Sequence, residues 1–244
     1  MKNDKMSLVK AKVKAAGIHL GISLLIFLGI LYVILFQWYP GPFFTAEGGW
    51  NGIMLMAAVD LVLGPTLTLI IFNHTKAKKE IVLDLSLIVV IQISAMIWGG
   101  LQVYSERPVA LVMWEGTFYT VTEDYYQQQN ITLKDIATYS DEKPLIIYAE
   151  TDHSVAQLEE IQRLNQQKIP PYAQVHLYQS VKENMHKVFS QQVSGDLMSS
   201  NLSQEDKVGE NLSQSYVFIG KAKYRNLLIY LDAKASLLEI KIRQ

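Results

Sequence analysis

The 244-residue chain has no cysteine, which excludes disulfides, thiol nucleophiles and cysteine-ligated metal centres and leaves the redox compartment open. It has no surplus of either charge: 22 basic residues face 23 acidic ones, for a formal net charge of -1. Nucleic acid binding needs a concentrated Lys/Arg face to neutralise phosphates, and this balance supplies none. Catalytic signatures are missing too. There is no HExxH pair, no GxSxG elbow, no phosphate-binding glycine loop and no paired-carboxylate motif in a defined context, so an enzyme is not expected. His74, His153, His176 and His186 are scattered, and neither a metal nor a cofactor is expected. Asp152-His153-Ser154 joins three catalytic residue types, but adjacency does not make a triad, and a polar helix cap is the expected role.

What the chain does have is apolar residues, 50% of the total, unevenly spread. Long apolar runs fall before Tyr104, and Glu, Gln, Asn and Lys dominate after it, so two solvents are implied. Residues 15–38 read AAGIHLGISLLIFLGILYVILFQW, which at about 1.5 Å per residue crosses a hydrocarbon core of roughly 30 Å. The run outlasts a signal-peptide core and ends in bulky Phe36, Gln37 and Trp38 rather than a small-residue cleavage site. Residues 50–72 and 81–103 are equally apolar, and buried soluble helices would not lack polar faces three times over. Three transmembrane helices are therefore expected, followed by a water-facing domain from residue 104 to 244.

Lysines set the orientation. Lys2, Lys5, Lys10, Lys12 and Lys14 precede the first span, in a basic segment of residues 1–14, and Lys76, Lys78 and Lys79 lie between the second and third. Tyr39 to Gly49 carries no Lys or Arg. Basic segments stay in the cytoplasm, and an odd number of crossings then places everything after Tyr104 outside, in the periplasm of a Gram-negative cell. Trp38, Tyr39, Trp50 and Tyr104 fall near the outer boundaries, where amphipathic rings sit well.

Asp60 is the most informative single residue, because a carboxylate at mid-bilayer costs about 2.5–3.5 kcal/mol even on lenient scales. Counting from the cytoplasmic helix ends at about 1.5 Å per residue puts Asp60, Gln92 and Ser94 within about 4 Å of one another in depth, so a polar cluster of these three is expected. Such a cluster either fixes the bundle or meets a partner segment or a proton. Gly64-Pro65 predicts a kink, since Pro65 has no N–H and crowds the carbonyl of Leu61. His19 and Asp84 sit about one turn inside their cytoplasmic boundaries, where side chains reach the interface, and are expected to be structural.

In the first outer loop, WYPGPFFTAEGGW, Pro40, Pro42 and Gly48-Gly49 dictate a tight turn. Phe43 and Phe44 are expected to present apolar surface near the bilayer, as a partner's seat or as interfacial anchors, and Glu47 to favour the next helix start through its dipole. Beyond Arg107-Pro108, residues 109–114 and 117–122 read as a hairpin turning at Glu115-Gly116. Residues 145–149 read as a strand, and 154–167 and 181–189 as helices. Residues 191–214 read as a mobile polar loop. Residues 216–221, 224–231 and 236–242 follow as an antiparallel meander, so the outer domain is mixed α+β.

These stretches resemble a known family. WYPGPFFTAEGGW, VDLVLGPTLTLIIF, LDLSLIVVIQISA and YSERPVALV are similar to the TfpX/TfpZ family of type IV pilin accessory proteins, over Trp38 to Val112. The most specific pieces are Gly48-Gly49-Trp50 and Val59 to Pro65, with Asp84, Gln92, Arg107 and Pro108 in matching context. The resemblance implies a multi-pass inner-membrane protein that assists assembly or surface display of the major pilin without enzymatic activity, alongside other inner-membrane assembly components. It makes Phe43, Phe44, Gly48, Gly49, Trp50, Asp60, Gly64, Pro65, Asp84, Gln92, Arg107 and Pro108 the candidate partner-binding or bundle-specifying positions. Residues 191–214 depart from the family's pattern. The alternative is a membrane sensor or transporter-like module that uses Asp60 for protonation.

Overall fold

The computed structural model describes residues 2–192 and 215–243, and the chain divides into two compact units. The first unit comprises Met1–Trp38 and Gly49–Tyr104, and the second Tyr39–Gly48 and Ser105–Gln244. The segment between the first two long helices thus belongs to the second unit. Of the polar stretch 191–214, expected to be a mobile loop, all but the first two residues lie outside the described residues.

Helix α1 (Lys2–Val33) continues into a π-helical turn, Ile34–Trp38. After the short α2 (Phe43–Ala46) of the other unit come α3 (Gly49–Ala57), a second π-helical turn (Ala58–Leu63) and α4 (Gly64–Ile71), which together make one continuous rod. The third rod is α5 (Lys78–Ser105). All three are long and apolar enough to cross a bilayer. Their outer faces are apolar: Leu25, Leu83 and Trp98 are each more than 70% exposed, an exterior suited to a hydrocarbon solvent and not to water. The break expected at Gly64-Pro65 takes the form of the π turn just before it, where the missing N–H of Pro65 frees a carbonyl and the chain widens to accommodate it.

The second unit is a mixed seven-stranded sheet. Strands β1 (Pro108–Trp114) and β2 (Thr117–Thr122) pair antiparallel through a two-residue turn, with Glu115 at φ 48° and Gly116 at φ 77°, the left-handed pair that matches strand twist. Helices α6 (Glu123–Gln128) and α7 (Leu133–Ile136) follow, the latter opened by a Thr132/Asp135 capping box. Strand β3 (Leu145–Ala149) lies parallel to β1, and α8 (Val155–Gln166) begins with Ser154 Oγ accepting the Gln157 N–H. Asp152-His153-Ser154 is accordingly a helix cap. Strand β4 (Tyr178–Ser180) closes one edge. The helix expected over 181–189 is confined to α9 (Met185–Ser190), because Val181 to Asn184 form a turn.

Strands β5 (Tyr216–Lys221), β6 (Asn226–Leu231) and β7 (Leu237–Ile242) form the antiparallel meander, with β5 parallel to β2, giving the order β4-β3-β1-β2-β5-β6-β7. One core gathers Val112, Val121, Tyr126, Ile136, Ile147 and Leu164. Within it the Tyr126 and Tyr178 hydroxyls lie 3.0 Å apart, and Tyr178 donates to the Tyr172 carbonyl, so the buried phenols are paired rather than stranded. Elsewhere in the unit, Phe118 and Phe218 meet edge to face at 5.5 Å.

Candidate functional site

In the first unit, Asp60 is only 6% exposed although it lies amid an apolar sequence. It sits in the π turn before Pro65, on the floor of a groove of about 380 Å³ walled by α1 and α5. Its carboxylate faces the groove and has no hydrogen-bond partner among the described residues. Beside it, His19 of α1 bridges the other two rods: Nδ1 is 2.6 Å from Thr68 Oγ1 and Nε2 is 2.8 Å from Gln92 Oε1. An amide oxygen only accepts, so Nε2 is the donor in this pair, and in a neutral ring Nδ1 then accepts a hydrogen bond from the Thr68 hydroxyl. Gly64 makes the arrangement possible by leaving space for the Gln92 amide, which a Cβ at 64 would strike.

The expected trio of Asp60, Gln92 and Ser94 is corrected by this geometry. Gln92 lines the groove with Asp60, but Ser94 is exposed and lines nothing there. Two residues along a helix are about 200° apart, so Gln92 and Ser94 cannot share a face. The third member is His19, which the sequence alone had assigned to the interface. The signal that finds it is Ala15, His19 and Ser23 at four-residue spacing, a stripe that lies along the α1 wall. Asp84 stands apart, paired with Lys76 at 2.6 Å.

The residues of the loop between the first two rods are also placed differently from expectation. Phe43 and Phe44 are 2% and 4% exposed, so they present no surface to a bilayer or a partner. Both belong to the second unit, where Phe44 meets the Tyr39 ring edge-on at 6.3 Å. The loop is held by backbone pairing: the Tyr224 N–H donates to the Ala46 carbonyl at 2.9 Å and the Lys223 N–H to Glu47 Oε2 at 3.3 Å. Glu47 therefore serves this junction rather than the dipole of α3. Burial pushes its carboxyl above the usual range, an effect that the Thr120 side chain and the Lys223 amide and charge offset only in part. Gly48, at φ 79°, lets the Tyr224 ring lie against the backbone. Gly49 and Trp50 open α3, with Trp50 56% exposed.

A second concavity of about 550 Å³ lies in this unit, lined by Glu47, Glu106, Tyr119, Tyr172, Lys221 and Lys223 among others. Two of its lysines are engaged: Lys223 bonds Glu106 at 3.0 Å, and Lys221 lies over the Tyr119 ring, which stacks on Tyr172. Arg107 pairs with Glu123 and both are largely covered, while Pro108 begins β1. Among the described residues no group of three or more His, Cys, Asp or Glu is placed to hold a metal. The groove's one unpaired acid, with apolar walls, can accept a hydrogen bond or a cation; it assembles no nucleophile and general base.

Comparisons with known proteins agree with the resemblance in the sequence. The family model of fimbrial assembly protein FimB matches residues 7–48. Over 99 residues the chain is 40% identical to the fimbrial assembly protein of serogroups C1 and C2 of Dichelobacter nodosus, covering 41% of this chain and 76% of that protein. It is equally similar over 99 residues to the serogroup E1 and serogroup I proteins of the same organism, of which it covers 38%. No solved structure matches the chain. The chain belongs to the FimB family of fimbrial assembly proteins, a type IV pilus accessory family.

Proposed function

We propose that this chain is a non-enzymatic accessory factor of type IV pilus biogenesis, acting on the major pilin in the inner membrane and periplasm before or during its display at the cell surface. The observation that carries the reading is the 40% identity to proteins named for fimbrial assembly. Three apolar rods with lysine-rich flanks support a multi-pass topology with the N-terminus cytoplasmic and the sheet domain periplasmic. The buried Asp60 supports a role for the helices beyond anchoring, because an unpaired carboxylate among apolar walls is expensive unless something answers it.

Deletion of the gene tests the proposal. Pilin should still be synthesised while surface pili, counted by electron microscopy and by shearing, fall, and the full chain supplied in trans should restore them. Undiminished piliation in the deletion strain rejects the reading. A phosphatase fused after Gln244 should be active, and a cytosol-only reporter silent at the same position; the reverse pattern rejects the topology.

A further inference from the structure

We propose that the groove between α1 and α5 seats one membrane-spanning helix of the pilus subunit, with Asp60 accepting a hydrogen bond from a donor that the helix carries at that depth. The inference rests on the function proposed above and adds the place and chemistry of contact. Three observations carry it.

The first is shape. On α1 the wall runs from Ala15 through Ile22 to Ile26, and on α5 from Leu85 through Ile93 to Met96. Each stripe steps by three or four residues and extends about 16 Å, or three helical turns. Two parallel walls of equal length make a slot for a rod, not a cage for an ion or a compact ligand.

The second is that the walls are open. Ile22 is 56% and Ile93 46% exposed, so apolar side chains on both walls stay uncovered while His19 and Gln92 tie the walls together. The third is Asp60 itself, more than nine-tenths buried, facing the slot and without a hydrogen-bond partner among the described residues. Its polar neighbours His19, Thr68 and Gln92 are bonded to one another. A lipid chain would fill apolar walls but offer the carboxylate nothing. A helix bearing one donor satisfies both walls and floor, and helix association in lipid is driven by just such close packing and interhelical hydrogen bonds.

Photocrosslinking in cells that make pilin tests this with the full chain. A photoreactive residue at Ile22 or Ile93 should give an adduct with pilin, mapped by peptide mass to its membrane helix. The same residue at Leu87, on the opposite face of α5 and 61% exposed, should not. In Asp60→Leu the adduct should fall about three- to tenfold, the range of one interhelical hydrogen bond in lipid, with the membrane level of the chain unchanged. Asp60→Asn, which keeps an acceptor, should lose less. Ile22→Trp, which fills the slot, should abolish the adduct formed from Ile93.

Adducts with lipid alone, with a second copy of this chain, or with pilin equally from Leu87 would overturn the slot. So would pilin adducts indifferent to both Asp60→Leu and Ile22→Trp. Piliation in the deletion strain is scored separately, so a chain that supports pili without groove adducts loses this inference and keeps its function.

Discussion

The side-chain amide of Gln92 occupies the space that a side chain on Gly64 would fill. A Cβ built at 64 falls on the amide nitrogen, with the amide carbon at 2.8 Å. Gly64 has right-handed helical angles, φ -59° and ψ -57°, so no left-handed strain is involved, although a Cβ just before Pro65 would crowd the proline ring. What the position requires is the absence of a side chain, which lets Gln92 reach His19 at 2.8 Å and tie two rods together.

Gly64→Ala should therefore swing the flexible end of Gln92 aside and break its bond to His19, destabilising the chain by about 0.5–1.5 kcal/mol, one hydrogen bond's net worth. In a Gln92→Ala background the same substitution should cost less, leaving only the crowding of its Cβ against Pro65. Equilibrium unfolding of the four proteins in mixed micelles measures the coupling. Additive effects would show that Gly64 and Gln92 do not communicate.

The groove was partly legible in the sequence and partly not, for reasons visible in its members. Asp60 announces itself by the energetic cost of an acid in an apolar run, and Gly64-Pro65 by covalent geometry. His19 did not, because counting depth from an assumed boundary says nothing of the partners that the other two rods bring to it, Thr68 and Gln92. The hairpin and the meander follow from alternation and turn chemistry in neighbouring residues. The parallel pairings β1 with β3 and β2 with β5 leave no such local trace. Phe43 and Phe44 looked interfacial because the loop's partner, Tyr224, lies about 180 residues away in sequence, and local pattern carries no information about that pairing.

Gly48 is the converse of Gly64, since both its angle and its space are special. At φ 79° an alanine is strained, and its Cβ would also strike the Tyr224 ring. Gly48→Ala should cost about 2–3 kcal/mol, combining roughly 1–2 kcal/mol of left-handed strain with displacement of the ring. Adding Tyr224→Ala should relieve the collision and leave the strain. Thermal unfolding followed by limited proteolysis of the sheet domain reads both, and full recovery in the double variant would deny any backbone contribution.

Arg107 and Glu123 form an ion pair with side chains only 11% and 19% exposed. Removing one member strands the other in a poorly solvated place, so Arg107→Ala should destabilise by about 2–3 kcal/mol, somewhat below the range for fully buried pairs. Arg107→Lys should recover only part, because an ammonium lacks the planar fork that a carboxylate matches. Replacing both with apolar residues of similar size should be milder than either single truncation, and chemical denaturation midpoints decide the order. A harmless Arg107→Ala would mean that the pair contributes nothing to stability.

Glu47 gives the contact between its loop and Lys223 a pH dependence of definite sign. Burial is the main cause of its raised carboxyl pKa and the charge of Glu106 adds to it, while Thr120 and Lys223 oppose both without cancelling them. A carboxyl that titrates higher folded than unfolded holds its proton more tightly in the native state. Its contribution to stability is therefore complete below the ordinary glutamate value of 4.5 and is lost as pH rises through the higher folded value. Glu47→Gln keeps an oxygen to accept the Lys223 N–H yet cannot ionise, so it should remove that slope. The variant's melting temperature relative to wild type should rise between pH 4 and pH 8 and level off once Glu47 is ionised. A difference that stays constant over that range, or that shrinks as pH rises, would show that the buried carboxyl is not what titrates.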